Sequence, residues 1–428
     1  MKKLLILFMI LQGVLLSKEL DYIKLQDVNI PLIYEQDSTL PIVSMQIVFK
    51  NSGHIEDKDL AGLAKMSANI LNEGTRKLGS VGFAKELEKD ALHLNSSVGL
   101  ETFVIELSAL KEKFQNAIKL TNDLLIDPNL TEDTFSKVKT MMLGDIKQKE
   151  SDFDYVANVN LKKIIFKDTP NEFPSSGTLQ TLKKITLHDI KKFLKEHLIL
   201  NNVIIVIGGD LSLQEAKDFA KNSIKSLKVG KTKKLQKFSA IKSSVTKEII
   251  KDTKQAYIYF GSFYDLNVSS DEAYKARVAS FILGASGFGS RLMEEIRVKR
   301  ALAYSAYASI SLNNSHSLFK GYLQTKIQTK DEAIKTVKEV ILNFTKNGAT
   351  KDELIQAKKF LLGSEPLRNE TLNQRLTRAF MEYYKGFFLG HTKKELQKIE
   401  ALSLDELNDF IKKHDEINTL SFSIVTAK

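Results

Sequence analysis

The chain has 428 residues and no cysteine, which excludes disulfides, thiolate metal sites and cysteine nucleophiles together. Hydrophobic residues at 43%, charged residues at 27% and only six prolines describe an ordinary globular chain with room for two or three domains of roughly 150 residues each, and exclude general disorder. Net charge is +11; the excess is dispersed lysine with no aromatic interleaving and no nucleic-acid motif, so no nucleic-acid partner is expected.

Residues 1–17, MKKLLILFMILQGVLLS, have the plan of a secretory signal peptide: Lys2 and Lys3, then apolar Leu4–Leu16, then Ser17 near a cleavage point. The apolar stretch of 13 residues is short against the ~20 that span a bilayer. Export to a bacterial periplasm is the expectation. Left uncleaved, the same segment would anchor the chain to the membrane.

Strand-like Ile42–Phe49 is followed by a helix over Leu60–Asn72, a strand at Phe103–Leu107, a helix over Lys111–Leu125 and a second helix from Thr131. These assignments follow from apolar spacing of two or of three to four. Val203–Ile207, closed by Gly208-Gly209-Asp210, reads as a buried strand ending in a turn. Lys221–Lys247 then holds nine lysines and no acid. With Gly230, Ser239, Ser243 and Ser244, residues 225–247 read as a solvated linker, the alternative being a basic patch.

Beyond the linker the order repeats. A strand at Ala256–Phe260 precedes helices at Asp271–Leu283 and Ser290–Arg300, strands at Tyr304–Ser311 and Ser317–Gln324, a helix over Lys330–Phe344 and another from Thr350. Thr131, Lys139, Leu143 and Gly144 align without a gap on Thr350, Lys358, Leu362 and Gly363. Ala117-Ile118-Lys119 aligns on Ala333-Ile334-Lys335 with three residues of slack. A duplication is expected: an α+β fold of two homologous α/β-sandwich domains, 18–224 and 248–428, each an antiparallel-rich sheet with helices on one face.

Two stretches bear on function. Gly62–Thr75, GLAKMSANILNEGT, places Leu63, Met66 and Ile70 on one helical face and Lys65 and Asn69 one turn apart on another, with Ala68 beside them. Leu283–Tyr307, LGASGFGSRLMEEIRVKRALAYSAY, carries glycines at 284, 287 and 289 that do not form G-x-G-x-x-G, so nucleotide binding is not expected. Within it Arg297 and Tyr304 stand at a helix end and a strand start. By residue type alone, Arg297 pairing with a neighbour such as Glu294 and Tyr304 packing in a sheet is one arrangement. A pair of donors to a peptide oxygen is the other.

These stretches resemble the pitrilysin/insulinase family of zinc peptidases, over nearly the whole chain after the leader. There the first stretch carries H-x-x-E-H, with two zinc-binding histidines and a glutamate acting on the bound water. On that alignment this chain has Lys65, Ala68 and Asn69. The family's third ligand, a glutamate about 76 residues further on, falls on Asp145. The resemblance implies that this chain binds no metal or other cofactor, that zinc belongs to a homologous H-x-x-E-H partner chain, and that Arg297 and Tyr304 orient a peptide substrate. Two such chains would associate as a clam-shell, this one supplying half. The resemblance equally admits a non-catalytic peptide-binding or structural assembly protein, for which a homodimer is expected, and a zinc peptidase with altered ligands. The histidines at 54, 93, 188, 197, 316, 391 and 414 show no i, i+3 or i, i+4 pair to replace the zinc motif. His54, in GHIEDKD, reads as a surface-turn residue.

Overall fold

The computed structural model describes residues 19–428; the leader-like segment 1–17 lies outside them. The strands are β1 (Glu19–Leu25), β2 (Val28–Gln36), β3 (Ile42–Lys50), β4 (His93–Val98), β5 (Thr102–Leu110), β6 (Val203–Gly209), β7 (Thr246–Ile250), β8 (Gln255–Phe263), β9 (Ala303–Leu312), β10 (Ser317–Lys326) and β11 (Ser421–Thr426). They form two sheets, ordered β1-β2-β6-β3-β5-β4 and β7-β11-β8-β10-β9.

Without β1 the two orders are the same. In each sheet one parallel pair, β2 with β6 and β7 with β11, stands among antiparallel neighbours. The duplication extends to side chains. Thr131 and Thr350 cap the helices Glu132–Lys149 and Lys351–Gly363. The Lys139 Nζ donates to the carbonyls of Lys183 and Ile185, and the Lys358 Nζ to that of Glu400. Each lysine thus satisfies carbonyls at the end of a neighbouring helix, which would otherwise lack partners.

Each sheet packs its own helices on one face. Ile47, Ile205 and Phe103 face the first core, and Ile258, Phe260 and Phe422 the second. The opposite faces are covered by exchange. Helix Phe153–Ile165 of the first half lays Ala157, Leu161 and Ile165 against Tyr259, Leu318 and Val425 of the second sheet. Helix Leu372–Tyr384 of the second half lays Leu376, Ala379 and Phe380 against Ile33, Val48, Ile204 and Val206 of the first. This explains the unbroken apolar run of β6, whose residues are all buried: alternate side chains enter different cores.

Polar contacts lock the exchange. The Arg375 guanidinium bridges Glu35 and Asp37 at the end of β2, Tyr259 donates its hydroxyl to Asp154 at 2.8 Å, and Asn160 donates to Ser423 Oγ at 2.9 Å. The lysine-rich stretch 226–245 has little regular structure, yet it is fastened to both halves. Lys233 pairs with Glu196 at 3.1 Å, the Phe238 ring stacks on His316 at 4.8 Å, and the Ile241 N–H donates to the Ile165 carbonyl.

Candidate functional site

The helix Leu63–Leu71 buries Leu63, Met66 and Ile70, the face its spacing predicts. It starts at Gly62, whose φ of 99° favours glycine. Both oxygens of the buried Asp57 accept 2.7 Å bonds from the Gly62 and Ala64 N–H groups, satisfying donors that a helix start leaves free. Burial pushes the Asp57 carboxyl up to about 7, against the downward pull of those amides.

The residues at the zinc-motif positions do not fit a metal. Ala68 is fully buried and offers no donor atom. Lys65 and Asn69 are half-buried, and Asp145 is exposed on the helix Glu132–Lys149. An ammonium, an amide and a lone carboxylate lack the imidazole and carboxylate set that zinc uses. Among the described residues no group of three or more His, Cys, Asp or Glu could hold a metal ion.

At the end of the same helix Asn72 makes a contact the sequence did not announce. Its Oδ1 accepts from the Ser96 N–H at 2.7 Å and its Nδ2 donates to the Ser96 carbonyl at 3.0 Å. β4 is an edge strand, so these are groups a further strand would otherwise use. The second half treats its edge β9 likewise: the Ile310 N–H donates to Ser280 Oγ at 3.0 Å. Gly284 there lies on the Ala308 backbone, where an added Cβ would meet nitrogen at 2.6 Å and oxygen at 2.8 Å.

His54 departs from its expected surface position. It is 8% exposed in a short turn tied down by its N–H to the Gly99 carbonyl, and burial with the Lys162 charge lowers its pKa to about 3. His316, also buried, is lowered to about 4 by the same two causes.

The Leu283–Tyr307 stretch is less regular than a plain helix. The helix Ala273–Ser280 widens into a π-turn at Phe281–Ala285; after a glycine turn, Arg291–Met293 widens into another at Glu294–Val298. Ser290 caps this second helix, its side chain accepting from the Met293 N–H. The widening comes from i→i+5 bonds, Ser286 N–H to Phe281 and Lys299 N–H to Glu294, a geometry frequent at functional sites.

Arg297 in the second π-turn does not pair with Glu294. Its guanidinium lies 4.4 Å from the Tyr304 ring centre and 4.6 Å from that of Phe288. Among the described residues its side chain has no ion pair or hydrogen bond. Tyr304 is 81% exposed and Phe288 71%, so neither ring is packed inside a sheet. The guanidinium lies over both rings, and among the described residues none of its N–H donors has a partner. Phe288 is a member of this group that sequence reading missed. Its only signal is an aromatic residue between two glycines, Gly287 and Gly289, both with positive φ.

The comparisons bear on the family and the fold. A family model described as insulinase (peptidase family M16) matches residues 32–178, and one described as the peptidase M16 inactive domain matches residues 184–361. A Helicobacter pylori protein named non-peptidase homolog YmxG is 41% identical, covering 100% of this chain and 99% of that protein. The crystal structure of a peptidase M16 inactive domain from Pseudomonas fluorescens superposes with a TM-score of 0.88 at 21% identity, over 96% of this chain and 98% of that one. The periplasmic protease PqqL from Escherichia coli gives a TM-score of 0.77 at 12% identity, over 100% of this chain but 49% of that longer one. The chain belongs to the M16 insulinase family of peptidases, as a member whose zinc-motif positions hold Lys65, Ala68 and Asn69.

Proposed function

We propose that this chain is the zinc-free subunit of a two-chain peptidase and that Arg297 and Tyr304 orient the peptide substrate. The observation that carries the reading is the Arg297 guanidinium, which lies over two exposed rings and among the described residues has no carboxylate partner. Arg297 would donate to a peptide carbonyl and to the negative charge that develops on it, and the Tyr304 hydroxyl would donate to the same region. Hydrolysis itself is assigned to an H-x-x-E-H chain of the same fold. The half-length match to PqqL supports the stoichiometry, since a second chain of similar size would complete an assembly of that length. Export through the leader to the periplasm belongs to the same proposal.

The test is reconstitution with an H-x-x-E-H relative encoded in the same genome. Peptide cleavage should need both chains and fall about 100- to 1,000-fold with Arg297→Ala, the scale of one lost oxyanion donor. Cleavage unchanged by Arg297→Ala and by Tyr304→Phe would refute the orienting role.

A second reading is a non-catalytic peptide-binding or assembly protein; the Asn72–Ser96 contact, which closes part of an edge where a peptide strand could add, favours its assembly form. The name of the Helicobacter relative, non-peptidase homolog, accords with either reading. Under the second reading the isolated chain forms a stable homodimer and no relative confers cleavage.

A further inference from the structure

We propose that the seam between the two halves holds a binding site for a small multivalent anion, a ligand carrying two or more phosphates or carboxylates. A cavity of about 400 Å³ opens there, within the usual range for small-molecule sites. Three separate parts of the chain send a lysine to it. Lys50 ends β3 in the first half, Lys237 lies in the lysine-rich stretch, and Lys385 follows the exchanged helix Leu372–Tyr384.

No carboxylate lines this cavity. Among the described residues none of the three ammonium groups has an ion pair or hydrogen bond. The amides of Asn51, Asn267 and Asn314 complete its polar wall. Lys385 is half-buried; burial holds its ammonium below its ordinary pKa, while Glu395 and Glu101 pull it back up.

The neighbouring cavity shows how the fold treats charge elsewhere. It has a volume of about 560 Å³ and shares Val268 and Lys385 with the seam cavity. There Arg277 is neutralised by Glu395 at 2.9 Å and Lys398 by Asp271 at 3.3 Å. In the seam cavity Lys50 and Lys237 have no such partner and Lys385 feels Glu395 and Glu101 only beyond ion-pair distance, and a recess between low-dielectric walls concentrates the remaining positive field. A multivalent anion supplies the missing countercharge. A single phosphate or carboxylate would leave one or more lysines unmatched. Because the lysines come from both halves and from the stretch between them, such a ligand would also brace the seam.

The experiment uses the full mature chain with inorganic tripolyphosphate and with citrate, followed by titration calorimetry and by thermal unfolding. Wild type should bind one equivalent of at least one probe and gain in Tm; which probe binds tells phosphate from carboxylate chemistry. Lys50→Gln, Lys237→Gln and Lys385→Gln should each weaken binding about tenfold, the worth of one charge-assisted hydrogen bond. The control carries Lys231→Gln, Lys234→Gln and Lys247→Gln, which remove three charges from exposed positions outside the cavity; it should keep wild-type affinity. Circular dichroism and ligand-free Tm values establish that every variant is folded. No binding of either probe to wild type overturns the proposal. So does an equal loss in the control, which would mean attraction by net charge alone. Arg297→Ala should leave anion binding intact.

Discussion

The Arg297 guanidinium lies over the Tyr304 ring, 4.4 Å from its centre, and over the Phe288 ring at 4.6 Å. The contact separates two tasks of the tyrosine, since the ring holds Arg297 and the hydroxyl donates. Tyr304→Phe should therefore keep most of the orienting effect and Tyr304→Leu should lose it. Phe288→Ala, which removes one of the two rings, should reduce cleavage in the reconstituted pair less than Arg297→Ala. Both rings are exposed, so none of these changes should shift unfolding by more than about 0.5 kcal/mol. Urea melts beside the cleavage assays check that separation.

The exchanged helices make stability depend on the seam. Glu35 is 1% exposed, and Arg375 is the cation beside it. Arg375→Ala leaves that carboxylate buried without countercharge and should cost ~3–5 kcal/mol in urea unfolding. Combining Arg375→Met with Glu35→Gln and Asp37→Asn removes all three charges and should recover most of the loss. A triple variant as unstable as Arg375→Ala would show that the charge is not the cause.

Much of this architecture was legible in the sequence, for identifiable reasons. The alignment of Thr131 and Lys139 on Thr350 and Lys358 reported a real repeat, because those residues do the same capping work in both halves. The exchange was not legible. Helices Phe153–Ile165 and Leu372–Tyr384 show an apolar face, but periodicity does not say which sheet receives it. The burial of His54 escaped for a related reason: a short polar turn reads as surface until a distant loop, here Gly99 and Leu100, closes over it. At the site, the ammonium of Lys65, the methyl of Ala68 and the amide of Asn69 are read directly from the sequence. Phe288 became meaningful only once the fold placed it over Arg297.

Glycines divide by what surrounds them. Gly284→Ala would drive a Cβ into the Ala308 backbone and should cost ~1–3 kcal/mol as overpacking. Gly144 sits inside the helix Glu132–Lys149 and its repeat-related partner Gly363 ends the helix Lys351–Gly363, each with nothing within 4 Å of an added Cβ. Alanine should add ~0.5–1 kcal/mol to stability at Gly144 and less at the helix end. Thermal or urea unfolding of the three variants reads the contrast directly.

Acid should weaken the fold through its buried histidines. In the folded chain burial, followed by the Lys162 charge, lowers the pKa of His54 to about 3 and of His316 to about 4. Burial and then Lys233 lower His197 to about 4. Each binds its proton more readily unfolded, near pH 6.5. Their contribution is therefore complete above about pH 6.5 and lost as pH falls toward the folded values, about 4 for His316 and His197 and about 3 for His54. His316→Asn removes one such group, so its stability should decline less steeply than wild type between pH 6.5 and 5, by up to ~1.4 kcal/mol per unit. Comparing slopes cancels the groups common to both proteins, Asp57 among them. Parallel slopes would place the acid sensitivity elsewhere.

The Asn72 contact makes the sharpest distinction between an edge merely covered and an edge held shut. Asn72 satisfies both main-chain groups of Ser96 with one side chain. Alanine leaves a donor and an acceptor unpaired at a residue that is 3% exposed, a loss of ~1–3 kcal/mol. Aspartate keeps the acceptor for the Ser96 N–H but sets a second acceptor oxygen against the Ser96 carbonyl, so Asn72→Asp should lose at least as much stability as Asn72→Ala. Hydrogen exchange at the Ser96 amide should be slowest in wild type. With the contact removed, the outward backbone of β4 becomes a template for another strand. Asn72→Ala should then self-associate or take up strand-forming peptides that wild type refuses. If it loses stability yet acquires neither property, the contact braces the helix end and does not guard the edge.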